Sequence, residues 1–314
     1  MNTSVSRHTL KGFVPAIVTP FAPDGEIMRE AFGELVEWLI GLGAEAICVA
    51  GDNGESWNLD AGERALLTRL AVERSSGRVP VITGASAPSA RQTIAYARAA
   101  ADAGANGLLV LPQPYVLKAT REELVRRFDA LARAVPLPIV AYNSPRRSGI
   151  ELSLDDLDAI MKVAPIVGIK EASRDFFHHT HLIERFRDRL AIMVGPCHYI
   201  LPGLALGAHG YIATGPELLG RDAAQLKEIA TRAPDARSAR VHYQLTVLYE
   251  TLMGTGTWPA ALKAALNFIG QPAGVPREPV LALGGSDLAR LHDALRACGV
   301  PSVTSRAVAA VPVA

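Results

Sequence analysis

Cysteine is scarce in this chain and odd in number: Cys48, Cys197 and Cys298 stand far apart in 314 residues. Three scattered thiols argue against a disulfide framework and suit a reducing compartment. Long hydrophobic runs are also missing. Although 49% of the residues are hydrophobic, no stretch approaches the ~20 apolar residues of a membrane span. The first eleven residues are polar and lack the apolar core of a secretory signal. Nor is there an excess of charge of one sign, because 32 Lys and Arg face 31 Asp and Glu for a net charge of +1. Without a basic arm or stripe, neither nucleic acid nor a membrane surface is indicated as a partner. The expected compartment is the cytoplasm.

What the chain does have is a repeating order. Short apolar, β-rich runs occur at residues 14–19, 46–50, 79–83, 107–111, 139–142, 166–170, 192–194 and 210–213. Most are continuously apolar, the pattern of parallel strands buried on both faces. Between them, apolar residues recur at helical spacing over 31–42, 60–74, 89–103, 120–134 and 153–163. Asp60, Ser89, Thr120 and Ser153 stand at the starts as capping residues, and Gly43, Gly104 and Pro165 follow the ends.

Strand then helix, eight times over, predicts an α/β fold, the (β/α)8 TIM barrel. The chain exceeds the ~250 residues of a minimal barrel. The surplus follows the last strand as helical patterns over 225–229, 239–253, 260–269 and 286–297. The expected organisation is a lead-in over 1–10, a catalytic barrel over 11–222, C-terminal helices over 223–301 and a tail over 302–314. The C-terminal helical appendage either caps the barrel or forms an oligomer surface. An open doubly wound sheet, the rival architecture, needs a G-x-G-x-x-G loop after its first strand. That position holds Pro20-Phe21-Ala22-Pro23-Asp24-Gly25, a turn.

In a barrel of this kind, chemistry sits where the strands end and the βα loops begin. That rule collects residues 51–56, Tyr115, Tyr142 to Arg147, Lys170-Glu171, Gly195 to His198 and Thr214-Gly215. Lys170 is the most telling of these, since a short apolar run ends abruptly in an amine. Carried into an apolar pocket, its charged form is disfavoured, and the neutral amine can attack a carbonyl to form a Schiff base. The alternative is a strand-end lysine that reaches out to water. Tyr142, on the neighbouring strand at the same end, can shuttle protons or simply pack. The glycines of the 51–56 loop let backbone N–H groups approach a carboxylate; otherwise the loop is an ordinary polar turn.

Gly51-x-x-Gly54-Glu55, Tyr142-Asn143-x-Pro145 and Gly168-Ile169-Lys170-Glu171-Ala172 occur in that order on those strands. Together with the opening Pro15-Ala16-Ile17-Val18-Thr19-Pro20-Phe21 and with Arg78-Val79-Pro80-Val81-Ile82-Thr83-Gly84, they resemble the dihydrodipicolinate synthase/N-acetylneuraminate lyase family. The resemblance runs from about residue 12 to about residue 270. It implies a Schiff-base-forming lyase or aldolase acting on a 2-oxo acid, either pyruvate-type or a 2-oxo-3-deoxy sugar acid. It also implies no metal and no organic cofactor, and a homotetramer built as a dimer of dimers, or a homodimer. By the same resemblance Lys170 forms the imine and Tyr142 relays protons. The pair after Gly51 holds the carboxylate and extends the relay. Ile212 lies near the pyruvate unit, and the loop opening at Gly195 meets the distal part of the substrate.

Departures shape what can be expected. Asp52-Asn53 replaces the family's usual hydroxyl pair. Asn53 can still donate an amide hydrogen bond to a carboxylate. Ionised Asp52 repels one, so Asp52 is expected to act as an acid/base or to bind a substrate hydroxyl or amine; otherwise it only shapes the loop. Tyr115-Val116 stands where lysine-pathway synthases carry two tyrosines. Tyr115 stays a substrate-binding candidate, as does Arg147, which matches an arginine that binds the second substrate's carboxylate in those synthases. The lysine-pathway enzyme, 4-hydroxy-tetrahydrodipicolinate synthase, is therefore possible but not favoured. A sugar-acid aldolase or a 2-oxo-3-deoxy sugar-acid dehydratase is favoured over a sialic-acid-type lyase, because Gly195-Pro196-Cys197-His198 lacks the acidic residues expected near a polyol chain. A catalytically silent barrel that binds a 2-oxo acid is the alternative from a different class. His178-His179-x-His181 lacks a completing ligand and reads as a solvated helix face, not a metal site. Glu171 points to the face opposite Lys170 and reads as structural.

Overall fold

The computed structural model describes residues 4–302. The expected tail, from 303 onward, lies outside the described residues. Eight strands alternate with helices. In chain order they are β1 (Gly12–Phe13), α1 (Arg29–Gly41), β2 (Ile47–Val49), α2 (Ala61–Ser75), β3 (Val81–Gly84), α3 (Ala90–Asp102), β4 (Gly107–Val110) and α4 (Arg121–Ala134). There follow β5 (Ile139–Asn143), the single turn α5 (Pro145–Ser148), α6 (Leu154–Met161), β6 (Ile166–Glu171), α7 (Phe176–Phe186), β7 (Ala191–Val194), α8 (Ile200–Ala205), β8 (Gly210–Tyr211) and α9 (Asp222–Thr231). Three more helices follow among the described residues: α10 (Ala236–Gly254), α11 (Ala260–Phe268) and α12 (Gly285–Ala297).

All the strand pairs are parallel, in the order β1-β8-β7-β6-β5-β4-β3-β2. The ring closes just beyond β1, where Ala16 bridges Cys48 and the Ile17 N–H donates to the Cys48 carbonyl at 3.0 Å. The first strand is thus shorter and earlier than the 14–19 expected. Pro15 and Pro20 carry no N–H, so the ladder is interrupted after Phe13 and resumes only as a bridge. At the β1/β8 seam the backbones of Gly12 and Gly210 approach so closely that a Cβ on Gly210 would overlap Gly12.

Helix starts follow local chemistry. Asp60, Thr120 and Ser153 form capping boxes with Glu63, Glu123 and Asp156, and Ser89 accepts from the Gln92 N–H. Each such cap is worth about 1 kcal/mol. Two apolar layers result. Val14, Cys48, Ile82, Leu109, Val140 and Met193 fill the barrel interior, while residues such as Phe32, Leu67, Phe128 and Phe186 pack the strands against the helices.

The C-terminal helices bind back onto the barrel mouth. On α11, Lys263 Nζ lies 2.5 Å from Glu55 Oε1, with both side chains almost wholly buried. The Arg277 N–H donates to Glu55 Oε2 at 3.0 Å, and the Arg277 guanidinium lies 4.0 Å above the Phe21 ring and 2.7 Å from Glu63. The β2 loop is thereby clamped from outside the barrel.

Candidate active site

The strand register decides who meets whom. Tyr142 pairs with Lys170 and Asn143 with Glu171 across β5 and β6. Successive strand residues alternate faces, so Tyr142 and Lys170 turn into the barrel while Asn143 and Glu171 turn toward the helices. The Lys170 Nζ lies 4.4 Å from the centre of the Tyr142 ring. Burial lowers the proton affinity of Lys170 below the ordinary 10.5, a shift that nearby Asp52 opposes and Arg147 reinforces. Burial also raises the Tyr142 phenol well above its ordinary value, and the Asp52 charge adds to this.

Asp52 is delivered by the loop after β2. That loop folds on itself: the Gly54 and Ser56 N–H groups donate to the Gly51 carbonyl, and Glu55 N–H to the Asp52 carbonyl. Thr19 Oγ1 holds the Gly54 carbonyl at 2.8 Å, and Glu55, at φ +56, is clamped by Lys263. The Asp52 and Asn53 N–H groups have no acceptor among the described residues. Asp52 Oδ2 accepts from the Tyr142 hydroxyl at 2.9 Å and lies 3.2 Å from Arg147 Nε. Its charge is therefore compensated, which answers the repulsion expected of an ionised carboxylate here.

The other expected residues take different places. Gly195 and Ile212 line the same pocket as Lys170. A Cβ on Gly195 would sit 2.5 Å from the Ala172 Cβ, so only glycine keeps this wall open. Asn53 also lines the pocket, but its Nδ2 donates to the Ala16 carbonyl at 2.9 Å and its Oδ1 accepts from Thr214 Oγ1 at 2.8 Å. Tyr115 lies away from the Lys170 pocket, 86% exposed and at φ +74. Cys197 Sγ is turned to the Thr214 carbonyl at 2.6 Å, while His198 packs on Tyr199 and Tyr249.

The histidines of α7 correct the expectation of a solvated face. His179 is fully buried, and burial drives its pKa down to about 4. His178 Nε2 lies 3.4 Å from Glu171 Oε2, which also accepts from Asn143 Nδ2 at 2.8 Å. Burial disfavours the His178 imidazolium, but the bond and charge of Glu171 outweigh it and leave its pKa raised. The reason is packing: α7 lays this side on β7, His178 reaches Glu171 of β6, and of the three only His181 is exposed. No group of three or more His, Cys, Asp or Glu residues is arranged to hold a metal ion among the described residues.

Sequence reasoning missed several lining residues: Arg174, Tyr249, Met253 and Trp258. Three of them come from α10 and the segment just after it. No local motif marks them, because they reach the pocket only when the C-terminal helices fold back over the barrel. Arg174 carried a faint signal, as it stands in the loop just after β6, shortly past Lys170.

A profile of the dihydrodipicolinate synthetase family matches residues 9–298. The chain belongs to the dihydrodipicolinate synthetase family. It is accordingly a carbon–carbon lyase of the Schiff-base-forming type. Among its relatives is the 4-hydroxy-tetrahydrodipicolinate synthase of Sorangium cellulosum, 36% identical over 93% of this chain and 97% of that protein. Similar solved structures include the chloride-inhibited dihydrodipicolinate synthase of Acinetobacter baumannii, solved with pyruvate (TM-score 0.87, 29% identity, 93% of this chain and 100% of that chain). Another is dihydrodipicolinate synthase from Aquifex aeolicus (TM-score 0.86, 29% identity, 94% and 100% covered). As a member of the family the chain has the (β/α)8 barrel with C-terminal helices, and no described helix is long and apolar enough to cross a membrane.

Proposed function

We infer that Lys170 forms a Schiff base with the 2-oxo carbon of pyruvate or a pyruvate-type acid, and that the enzyme makes or breaks a carbon–carbon bond at C3. The supporting observation is the buried Lys170 amine beside a Tyr142 hydroxyl that is bonded to Asp52. The neutral amine adds to C2, giving a carbinolamine. Loss of water gives the imine. Removal of a C3 proton gives the enamine, which attacks an aldehyde in synthesis; cleavage runs these steps in reverse, and water finally releases the product. Tyr142 is placed to exchange the protons of these steps, and Asp52 to accept from Tyr142. The unpartnered Asp52 and Asn53 N–H groups suit the 1-carboxylate.

A cytoplasmic homotetramer or homodimer goes with this reading. The large apolar residues left exposed on one protomer, among them Tyr115, Leu117, Phe177 and Tyr243, support self-association. Light scattering on the purified protein tests it.

Pyruvate followed by borohydride, with mass analysis of the peptides, tests the chemistry. A reduced adduct on Lys170 is expected. An unmodified Lys170 sinks the reading in favour of a silent 2-oxo-acid-binding barrel.

A further inference from the structure

Four cationic side chains line the pocket: Lys170, Arg146, Arg147 and Arg174. Asp52 is the sole carboxylate in its lining, and it is taken by Arg147 at 3.2 Å. Arg147 thus meets its counter-charge inside the protein. Arg174 does not, since among the described residues no carboxylate lies within ion-pair distance of its guanidinium.

Arg174 is nevertheless held firmly. Its Nη2 donates to the Tyr249 hydroxyl at 2.8 Å, and the guanidinium lies 5.0 Å from the Tyr249 ring centre. Its carbonyl accepts from the Tyr199 hydroxyl at 2.7 Å. Its backbone is left-handed, at φ +68, a region that non-glycine residues enter at a cost. Strain that persists because its surroundings enforce it points to function. Arg146, by contrast, is exposed, and no side chain of the described residues holds it. A half-buried guanidinium fixed by Tyr249, on a backbone held by Tyr199, facing a pocket without a free carboxylate, is a preorganised anion receptor.

We propose that Arg174 is the specificity residue that receives a terminal anionic group, carboxylate or phosphate, at the end of the substrate remote from the imine. The assignment rests on Lys170 forming that imine. It places the anion contact on the β6 loop and the C-terminal helix α10, because Asp52 already neutralises Arg147. Tyr249 is a positioning residue in this arrangement and acts through Arg174.

Three five-carbon-scale probes of equal backbone test it by borohydride trapping on Lys170: 2-oxoglutarate, 4-phosphono-2-oxobutanoate and 2-oxopentanoate. In the native enzyme, one of the two doubly anionic probes is expected to half-saturate trapping at a concentration about tenfold or more below that of 2-oxopentanoate. Preference for the phosphonate over the carboxylate assigns the subsite to phosphate, and the reverse assigns it to carboxylate. Arg174→Met should abolish the preference among the three probes, with pyruvate trapping measured alongside as the reference for an intact imine site. Arg174→Gly, which also relieves the left-handed backbone, should do the same in a protein at least as stable as the native one. Tyr249→Phe should reduce the preference partially. Equal half-saturation by all three probes in the native enzyme overturns the proposal, and so does a preference that survives both Arg174 variants. Failure of every 2-oxo acid, pyruvate included, to mark Lys170 overturns the Schiff-base reading instead. Pyruvate has no remote anion, so the two failures are distinguishable.

Discussion

The Tyr142 hydroxyl donates to Asp52 Oδ2 at 2.9 Å, joining two residues ninety positions apart across the barrel mouth. This bond stands where a hydroxyl-to-hydroxyl contact would be expected from the family pattern, and it puts a negative charge near the Lys170 amine. Lys170 and Tyr142 respond electrostatically to that one carboxylate, and Arg147 pairs with it.

Asp52→Asn tests its weight. The amide oxygen can still accept from Tyr142, but the charge that favours a protonated Lys170 is gone. Lys170 should then lose its proton at lower pH, so the rise of borohydride trapping with pH should move toward acid. Turnover should fall on the order of 10–100-fold, because the relay beyond Tyr142 loses its base. Trapping rates measured across pH, alongside steady-state turnover, separate the effects. An unmoved pH limb with full turnover removes Asp52 from the chemistry.

Lys170 itself should cost stability. Its folded pKa is below the free value of 10.5, so between those two values the unfolded chain binds more protons than the fold. Stability therefore rises as pH climbs through that window, and the penalty is complete below it. Lys170→Met should raise the melting point at acid and neutral pH, with the gain shrinking as pH nears 10.5. Thermal denaturation at several pH values reads this directly. A gain that is constant with pH means that charge is not its source.

The Glu55–Lys263 pair joins the β2 loop to α11 at 2.5 Å, with neither side chain exposed. Lys263→Met leaves the Glu55 carboxylate buried without its counter-ion, and this should cost roughly 3–5 kcal/mol. Because Asp52 and Asn53 stand just before Glu55, turnover should fall as well. Removing both charges with Glu55→Leu and Lys263→Met together should recover much of the stability. Urea midpoints for the three variants provide the comparison; additive losses would mean that the two charges do not act as a pair.

Glu217 lies buried in the turn after β8, and burial raises its pKa to about 7 from 4.5, although the Gly215 N–H donates to it at 3.0 Å. The fold retains this proton where the unfolded chain has lost it. Stability should therefore decline as pH rises from 4.5 to about 7 and level off above that. Glu217→Gln, which keeps an acceptor without the charge, should stabilise by a few kcal/mol above neutrality and have little effect near pH 4 and below. Urea denaturation of both proteins at acid and alkaline pH checks the sign.

Much of the architecture was legible in the chain because it is local. Continuous apolar runs and the caps at Asp60, Ser89, Thr120 and Ser153 are properties of neighbours in sequence, and the structure places helices directly after each of them. The early end of β1 was not, because it depends on which partner's carbonyls face Pro15. The burial of His179 was not either, because helical spacing leaves open which face a helix turns to the barrel.

Alone, the sequence determined the eight-fold strand–helix order and the presence of Lys170, Tyr142 and Asp52 at strand ends. Those follow from periodicity and from the rule that βα loops gather at one end of the barrel. Only the tertiary structure decided that Asp52 is neutralised by Arg147, that Asn53 is spent on Ala16 and Thr214, and that Arg174 is left without a carboxylate among the described residues. A charged side chain's role depends on which counter-charge lies within a few ångströms. That is settled by strand register and by the return of α10 over the barrel, neither of which is written in any local stretch of the chain.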